Sequence, residues 1–324
     1  MNKGAKWKDE LPVILFIIIF VGLIILFSIF GSGFLTVNNI LGILRHVSIV
    51  AIAALGVSFV VIVGHTDISF YLVACFAAMM MGFSLAKGLP APMAVFAGLG
   101  CALAFGICSG FAVGVLKLPD IIIAIAIGTI GYGCAYLPSG GSRIYTNFSS
   151  SGIGFLNDGS ILGIPCPTFL MLVFYIIAYI ILEHTKFGTY FYSAGLNKIA
   201  ANYSGIRVSL VVLVAFVICI LLGAFAGEIN TASVGNAEVT TALTLLLPCY
   251  TAVSIGTAIF KKPGVIGTFL GALLLQIVSN GFTHMNLKYW YSDLTTSILL
   301  ILSLPISLLN NRKGNSGSTV KASA

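Results

Sequence analysis

Long apolar runs, uncharged except for Asp293, alternate with short polar segments along almost the whole chain. The runs fall at about residues 11–30, 47–63, 68–85, 91–115, 121–137, 162–182, 210–226, 242–259, 265–281 and 291–309. Each is long enough, or nearly so, to cross about 30 Å of hydrocarbon as a helix. The pattern predicts an all-α, polytopic transmembrane helical domain of about ten spans. The second and third runs are separated only by Gly64-His65-Thr66-Asp67, so neither need be a complete crossing. The spans on either side of the long polar stretch at 183–209 form two halves of opposite orientation, compatible with an inverted repeat.

That polar stretch breaks the pattern. A polytopic protein needs only a few residues to turn at the membrane surface, yet 183–209 is helix-capable and carries Lys186, Lys198 and Arg207. The excess suggests a loop that docks onto a soluble, energy-supplying partner. Charge gives its side. Of the 16 Lys and Arg, twelve fall on one set of alternate segments: Lys3, Lys6, Lys8, Lys117, Lys186, Lys198, Arg207, Lys261, Lys262, Arg312, Lys313 and Lys321. Only Arg45, Lys87, Arg143 and Lys288 fall on the other set. The positive-inside rule then makes both termini and the 183–209 loop cytoplasmic. The expected organisation is a cytoplasmic N-terminal segment at 1–10, a membrane domain at 11–309 and a disordered cytoplasmic tail at 310–324. The Gly- and Ser-rich segment at 138–161 is the longest external one, readable as a docking surface or a mobile loop. Trp7, Tyr289, Trp290 and Tyr291 sit where interfacial aromatic belts are expected.

Composition changes the picture by exclusion. Hydrophobic residues make up 59% of the chain and charged residues 8%, against about 25% charged in soluble domains. A soluble fold is excluded. The net charge of +7 is spread over loops as topology signals and does not indicate nucleic-acid binding. The first apolar run is too long for a cleaved signal peptide. The seven cysteines form no C-x-x-C pair and read as packing residues.

Enzyme signatures are absent. No Gly-Lys pair exists to build a phosphate loop, no spaced His pair reads as a zinc helix, and no G-x-S-x-G elbow occurs. Ion coupling is also poorly supplied, because Asp67, Glu228, Glu238 and Asp293 fall at or near the expected span ends. A solute pump so built must draw energy from outside itself.

Four segments resemble the permease subunit of bacterial sugar-type ABC importers, the ribose and autoinducer-2 permease group, which is related to branched-chain amino-acid permeases. They are V-I-V-G-H-T-D-I-S at 61–69, K-L-P-D-I-I-I-A-I-A-I-G-T-I-G-Y-G-C-A-Y-L-P-S-G-G at 117–141, F-G-T-Y-F-Y-S-A-G-L-N-K-I-A-A-N-Y-S-G-I at 187–206, and L-L-P-C-Y-T-A-V-S-I-G-T-A-I-F-K-K-P-G-V-I-G-T at 246–268. The third is the most specific, since its matched positions keep their spacing. The chain departs from the family pattern at His65, where a second Gly is usual, and at Phe70 and Tyr71, where small residues are usual. It also departs at Ile199 and Asn202, where an acid and an Arg are common.

Within the third segment, Gly195 and Gly205 bracket about two helical turns, Asn197 can cap their start, and Ala200 and Ala201 would leave a surface of small side chains. The residues alone fit either an interfacial amphipathic helix or a docking helix. The resemblance implies the latter, a coupling helix seated on an ATPase. It also implies no cofactor in this chain, ATP bound by a partner subunit, an extracytoplasmic solute-binding protein, and a second permease subunit in the bacterial inner membrane. Asp67 reads as a helix cap or as part of the solute path. Gln276 and Asn280 share a helix face and could line a polar conduit or pair with a neighbouring helix. Thr244, Thr251 and Ser254 are weaker candidates for the path, and Pro248 bends its span. The resemblance implies a sugar or sugar-like solute, with branched-chain amino acids or nucleosides as alternatives. A stand-alone secondary carrier or facilitator is the rival reading.

Overall fold

A computed structural model describes residues 3–319, with side chains described from residue 12 to residue 305. The described chain is helical almost throughout: α1 (Lys3–Phe30), α2 (Val37–Ile62), α3 (Phe70–Ala86), α4 (Ala91–Gly114), α5 (Asp120–Cys134), α6 (Phe155–Asp158), α7 (Cys166–His184), α8 (Lys186–Leu196), α9 (Lys198–Tyr203), α10 (Val208–Val234), α11 (Leu246–Phe260), α12 (Val265–His284) and α13 (Trp290–Thr319). A two-stranded antiparallel hairpin, β1 (Ser160–Ile161) with β2 (Ile164–Pro165), follows α6. Seven helices are long and apolar enough to cross a membrane, and α3 and α5 are shorter apolar helices. With α13 they make up the expected set of about ten spans in an all-α polytopic membrane protein.

Helices in lipid gain nothing from hiding apolar surface from water, so close van der Waals packing must hold them together. Glycines supply it. α10 lies at the centre, packed on α4, α2 and α3. On α4, Gly106, Gly110 and Gly114 form a stripe where a Cβ would meet Val217 Cα at 3.2 Å, the Leu213 carbonyl at 2.6 Å and the Ser209 carbonyl at 2.6 Å. The same device joins α11 to α12, where a Cβ on Gly267 would lie 2.9 Å from Gly256 Cα. α1 is peripheral: Ile17, Ile18 and Ile19 are exposed, and Phe27 is its buried anchor, against Phe34 and Phe282. All seven cysteines are free, and Cys75, Cys166, Cys219 and Cys249 are buried, as packing residues would be.

Several expected boundaries are corrected. α2 begins at Val37, ten residues before the apolar run. Its polar start is tolerated because Asn39 pairs reciprocally with Asn280 of α12, each amide nitrogen 2.9 Å from the other's oxygen. Arg45 therefore lies within α2, 3.9 Å from Asp158. α10 continues to Val234, so Glu228 is inside it and not at its end. α13 is helical to Thr319, through residues 310–319 of the expected disordered tail; residues 320–324 lie outside the described residues. The 138–161 segment is packed down. Ile144 bridges Ala237, Arg143 pairs with Glu238 at 3.0 Å, Asn147 donates to the Leu85 carbonyl at 3.0 Å, and Phe148 is buried.

Candidate coupling site

The stretch at 183–209 folds as two short helices in sequence, each started by a side-chain cap. Thr185 Oγ1 accepts the Phe187 amide at 3.2 Å and starts α8. Asn197 breaks the chain in an extended conformation and starts α9, its Oδ1 accepting the Ile199 and Ala200 amides at 3.1 and 3.0 Å. Gly205, at φ +81°, ends α9 in the left-handed region that disfavours a side chain. The Ile206 amide then returns to the Ala201 carbonyl at 3.0 Å.

Of the five residues expected to face a partner, Asn197 and Ala200 present exposed side chains. Asn197 and Gly205 shape the helix ends. Ala201 is buried, and Gly195 is a contact into the membrane body: a Cβ there would collide with the Ile62 carbonyl at the end of α2. This corrects the expected surface of small residues. The exposed large apolar side chains are Leu196 at the end of α8 and Ile199 and Tyr203, four apart on α9; they are 71%, 71% and 89% exposed. The i, i+4 pair on α9 is readable in the sequence.

α8 and α9 are tied to the spans at three points. Phe191 packs edge-on to Phe59 of α2 at 5.4 Å between ring centroids. Tyr192 donates to Glu183 at 3.2 Å, Glu183 also meets Lys262 at 3.4 Å, and Lys262 lies 5.3 Å from the Tyr192 ring centre, joining α8 to the α11–α12 turn.

The third tie is a relay into the segment between α2 and α3, which is non-helical from His65 to Ser69. Lys198 Nζ of α9 lies 2.9 Å from His65 Nε2, and His65 Nδ1 lies 3.2 Å from Asp120 Oδ2 at the start of α5. An ammonium has only donors to offer, so Nε2 must present its lone pair and Nδ1 must carry the proton given to Asp120. Burial, and then the neighbouring Lys198 charge, hold the His65 pKa below its ordinary value, although Asp120 opposes the shift. Asp120 also accepts the Thr66 and Ile121 amides, each at 2.9 Å.

Two residues further on, Asp67 Oδ1 accepts the Ser69 amide and hydroxyl at 2.7 and 2.6 Å, which fits the capping reading of Asp67. Its Oδ2 is buried and has no hydrogen-bond partner among the described residues. The Tyr250 hydroxyl of α11 donates to the Asp67 carbonyl at 2.9 Å and accepts the Asp67 amide at 3.1 Å.

The structure does not bring the expected path residues together. Asp67 is buried between α2 and α3, where Tyr250 of α11 holds its backbone. Thr244 is exposed in a 3-10 turn before α11. Asn280 pairs with Asn39, and Gln276 is half-buried on α12. Glu228 corrects the expectation of spans nearly free of charge. It is fully buried, both carboxylate oxygens lack partners among the described residues, and it occupies space left open by Gly98 of α4, where a Cβ would strike Oε1.

The comparisons with known proteins agree on the kind of molecule. A family model described as "Branched-chain amino acid transport system / permease component" matches residues 39–304. The ribose import permease protein RbsC of Escherichia coli K12 is 28% identical over 299 residues, covering 90% of this chain and 91% of that protein. The RbsC of Haemophilus influenzae is 31% identical over 296 residues, covering 88% and 90%. The D-allose transport system permease protein AlsC of E. coli K12 is 27% identical over 294 residues, covering 89% and 90%. No solved structure matches. With a matched region that takes in every span from α2 to α12, the chain belongs to the permease-component family of branched-chain amino acid transport systems and is a multi-pass membrane permease, not an enzyme.

Proposed function

We propose that this chain is the transmembrane subunit of an ABC importer for a sugar or sugar-like solute, driven through α8 and α9 by a separate ATPase. The observation that carries the reading is α9: a capped short helix with Ile199 and Tyr203 outward, beside the exposed Leu196 of α8, and with Lys198 tied to His65. Three exposed apolar side chains suit a partner's groove. The ties behind them convert a push on α9 into displacement of the segment between α2 and α3, and of the starts of α5 and α11. An ATP-bound partner pair closing on two such helices would then rock two permease subunits between outward- and inward-open states. Solute is delivered by an external binding protein. The solute class rests on relatives named for ribose and D-allose import. The positive-inside asymmetry supports cytoplasmic termini and a cytoplasmic α9 in a bacterial inner membrane.

The test is reconstitution with the cognate ATPase. Ile199→Asp and Tyr203→Asp should lose solute-stimulated ATP hydrolysis while membrane insertion stays normal. Full stimulation in both variants would refute the coupling role. Glu228 and the unpartnered Oδ2 of Asp67 favour a carrier, since a buried carboxyl without a partner is what proton coupling would use. Solute accumulation by the chain alone under an imposed pH gradient would establish that reading.

A further inference from the structure

A cavity of about 380 Å³ lies between the α4–α5 turn, α9 and the first turn of α10. Its polar lining is Lys117, Lys198, His65, Asn202 and Ser209, and no acidic side chain lines it among the described residues. Lys117 is at φ +57°, the left-handed region uncommon for a residue with a side chain. No hydrogen bond or ion pair is formed by it among the described residues. Among the described residues Lys198 has one polar partner, His65. Two ammonium groups, an amide and a hydroxyl thus line a cavity that holds no carboxylate, the Asp120 carboxylate being taken up by His65 and by the Thr66 and Ile121 amides.

The helices bounding this cavity carry exposed apolar side chains in the adjoining turns: Phe111 and Val115 on α4, Leu116 after it, and Leu210 and Val214 on α10. A basic cavity at a span end, continuous with apolar surface, matches a lipid with a charged head and two acyl chains better than a soluble anion. Basic pockets between spans on the cytoplasmic side suit anionic headgroups, and each Lys near the surface adds about 1 kcal/mol, or about fivefold in affinity.

We propose that this cavity holds the phosphodiester headgroup of an anionic phospholipid, Lys117 and Lys198 supplying the charge, with the acyl chains along the apolar turns of α4 and α10. Lys198 is then shared between the headgroup and His65, so the leaflet's charge reaches the same side chain that ties α9 to the α2–α3 segment.

The experiment is native mass spectrometry of the full chain with phosphatidylglycerol and with phosphatidylcholine. Thermal melting in phosphatidylcholine alone establishes that each variant is folded. Phosphatidylglycerol is expected to be retained preferentially, and Lys117→Gln is expected to weaken it about fivefold. Lys186→Gln, which removes the same charge at the same end outside the cavity, should leave retention unchanged. Equal retention of the two lipids, or a Lys117→Gln variant indistinguishable from Lys186→Gln, would overturn the site. Displacement of the lipid by millimolar inorganic phosphate would overturn the lipid assignment and make this a site for a soluble anion.

Discussion

His65 is the residue on which the relay turns, because its two ring nitrogens face opposite charges. Neutral, it accepts from Lys198 and donates to Asp120. Protonated, it would present N–H to an ammonium and lose the Lys198 contact. Its folded pKa is lowered, first by burial and then by Lys198. A lowered pKa means that the folded protein binds fewer protons than the unfolded one as pH falls. The contribution is therefore fully present above the ordinary His value, about 6.5, and is lost as pH falls through the folded value. Coupled ATP hydrolysis should decline on acidifying the α9 side over that window, and His65→Gln should flatten the decline. A pH profile of stimulated hydrolysis, wild type against variant, checks this; identical profiles would remove His65 from the relay. Almost none of this was legible in the sequence. Lys198 and His65 stand 133 positions apart and His65 and Asp120 stand 55 apart, so only folding reveals them as neighbours. The Asn197 cap, whose bonds span two and three residues, was readable because its chemistry is local.

At the scale of elements, α9 exposes Ile199 and Tyr203, buries Ala201 and is tied to His65 through Lys198. That distinction changes which substitutions are informative. Ala201 is 4% exposed, so Ala201→Trp would disturb the fold and say little about docking. Ala200→Trp, on an exposed position, should weaken association with the ATPase without lowering the melting temperature, and pull-down of the ATPase by the variant measures it. The glycine stripe of α4 makes the opposite kind of prediction. Gly110→Leu must displace the α10 backbone, since even a Cβ there would meet the Leu213 carbonyl at 2.6 Å. Overpacking of this kind costs about 1–3 kcal/mol, and a lower melting temperature in detergent is the expected result. Span existence followed directly from hydropathy. Span ends did not, because α2 begins before its apolar run and takes in Asn39, and α10 continues past its run through Glu228. In the fold a partner helix accommodates each, Asn280 for the first and the open space at Gly98 for the second.

For the molecule as a whole, the account rests on sidedness and on the source of energy. Single cysteines at Asn202 and Ser151, in a background free of the natural cysteines, should label from opposite faces; labelling of both from outside would invert the topology drawn from the basic residues. Glu228 makes the energy source worth direct measurement, because it supplies the buried carboxyl that hydropathy alone had placed at a helix end. The most direct measurement is accumulation of labelled ribose, the solute named for the two RbsC relatives, in proteoliposomes holding this chain with and without its ATPase and binding protein. Concentrative uptake is expected only in the complete complex with ATP, and Ile199→Asp should reduce it by about tenfold or more. Accumulation by the chain alone, driven by a proton or sodium gradient and unaffected by Ile199→Asp, would contradict the coupling account.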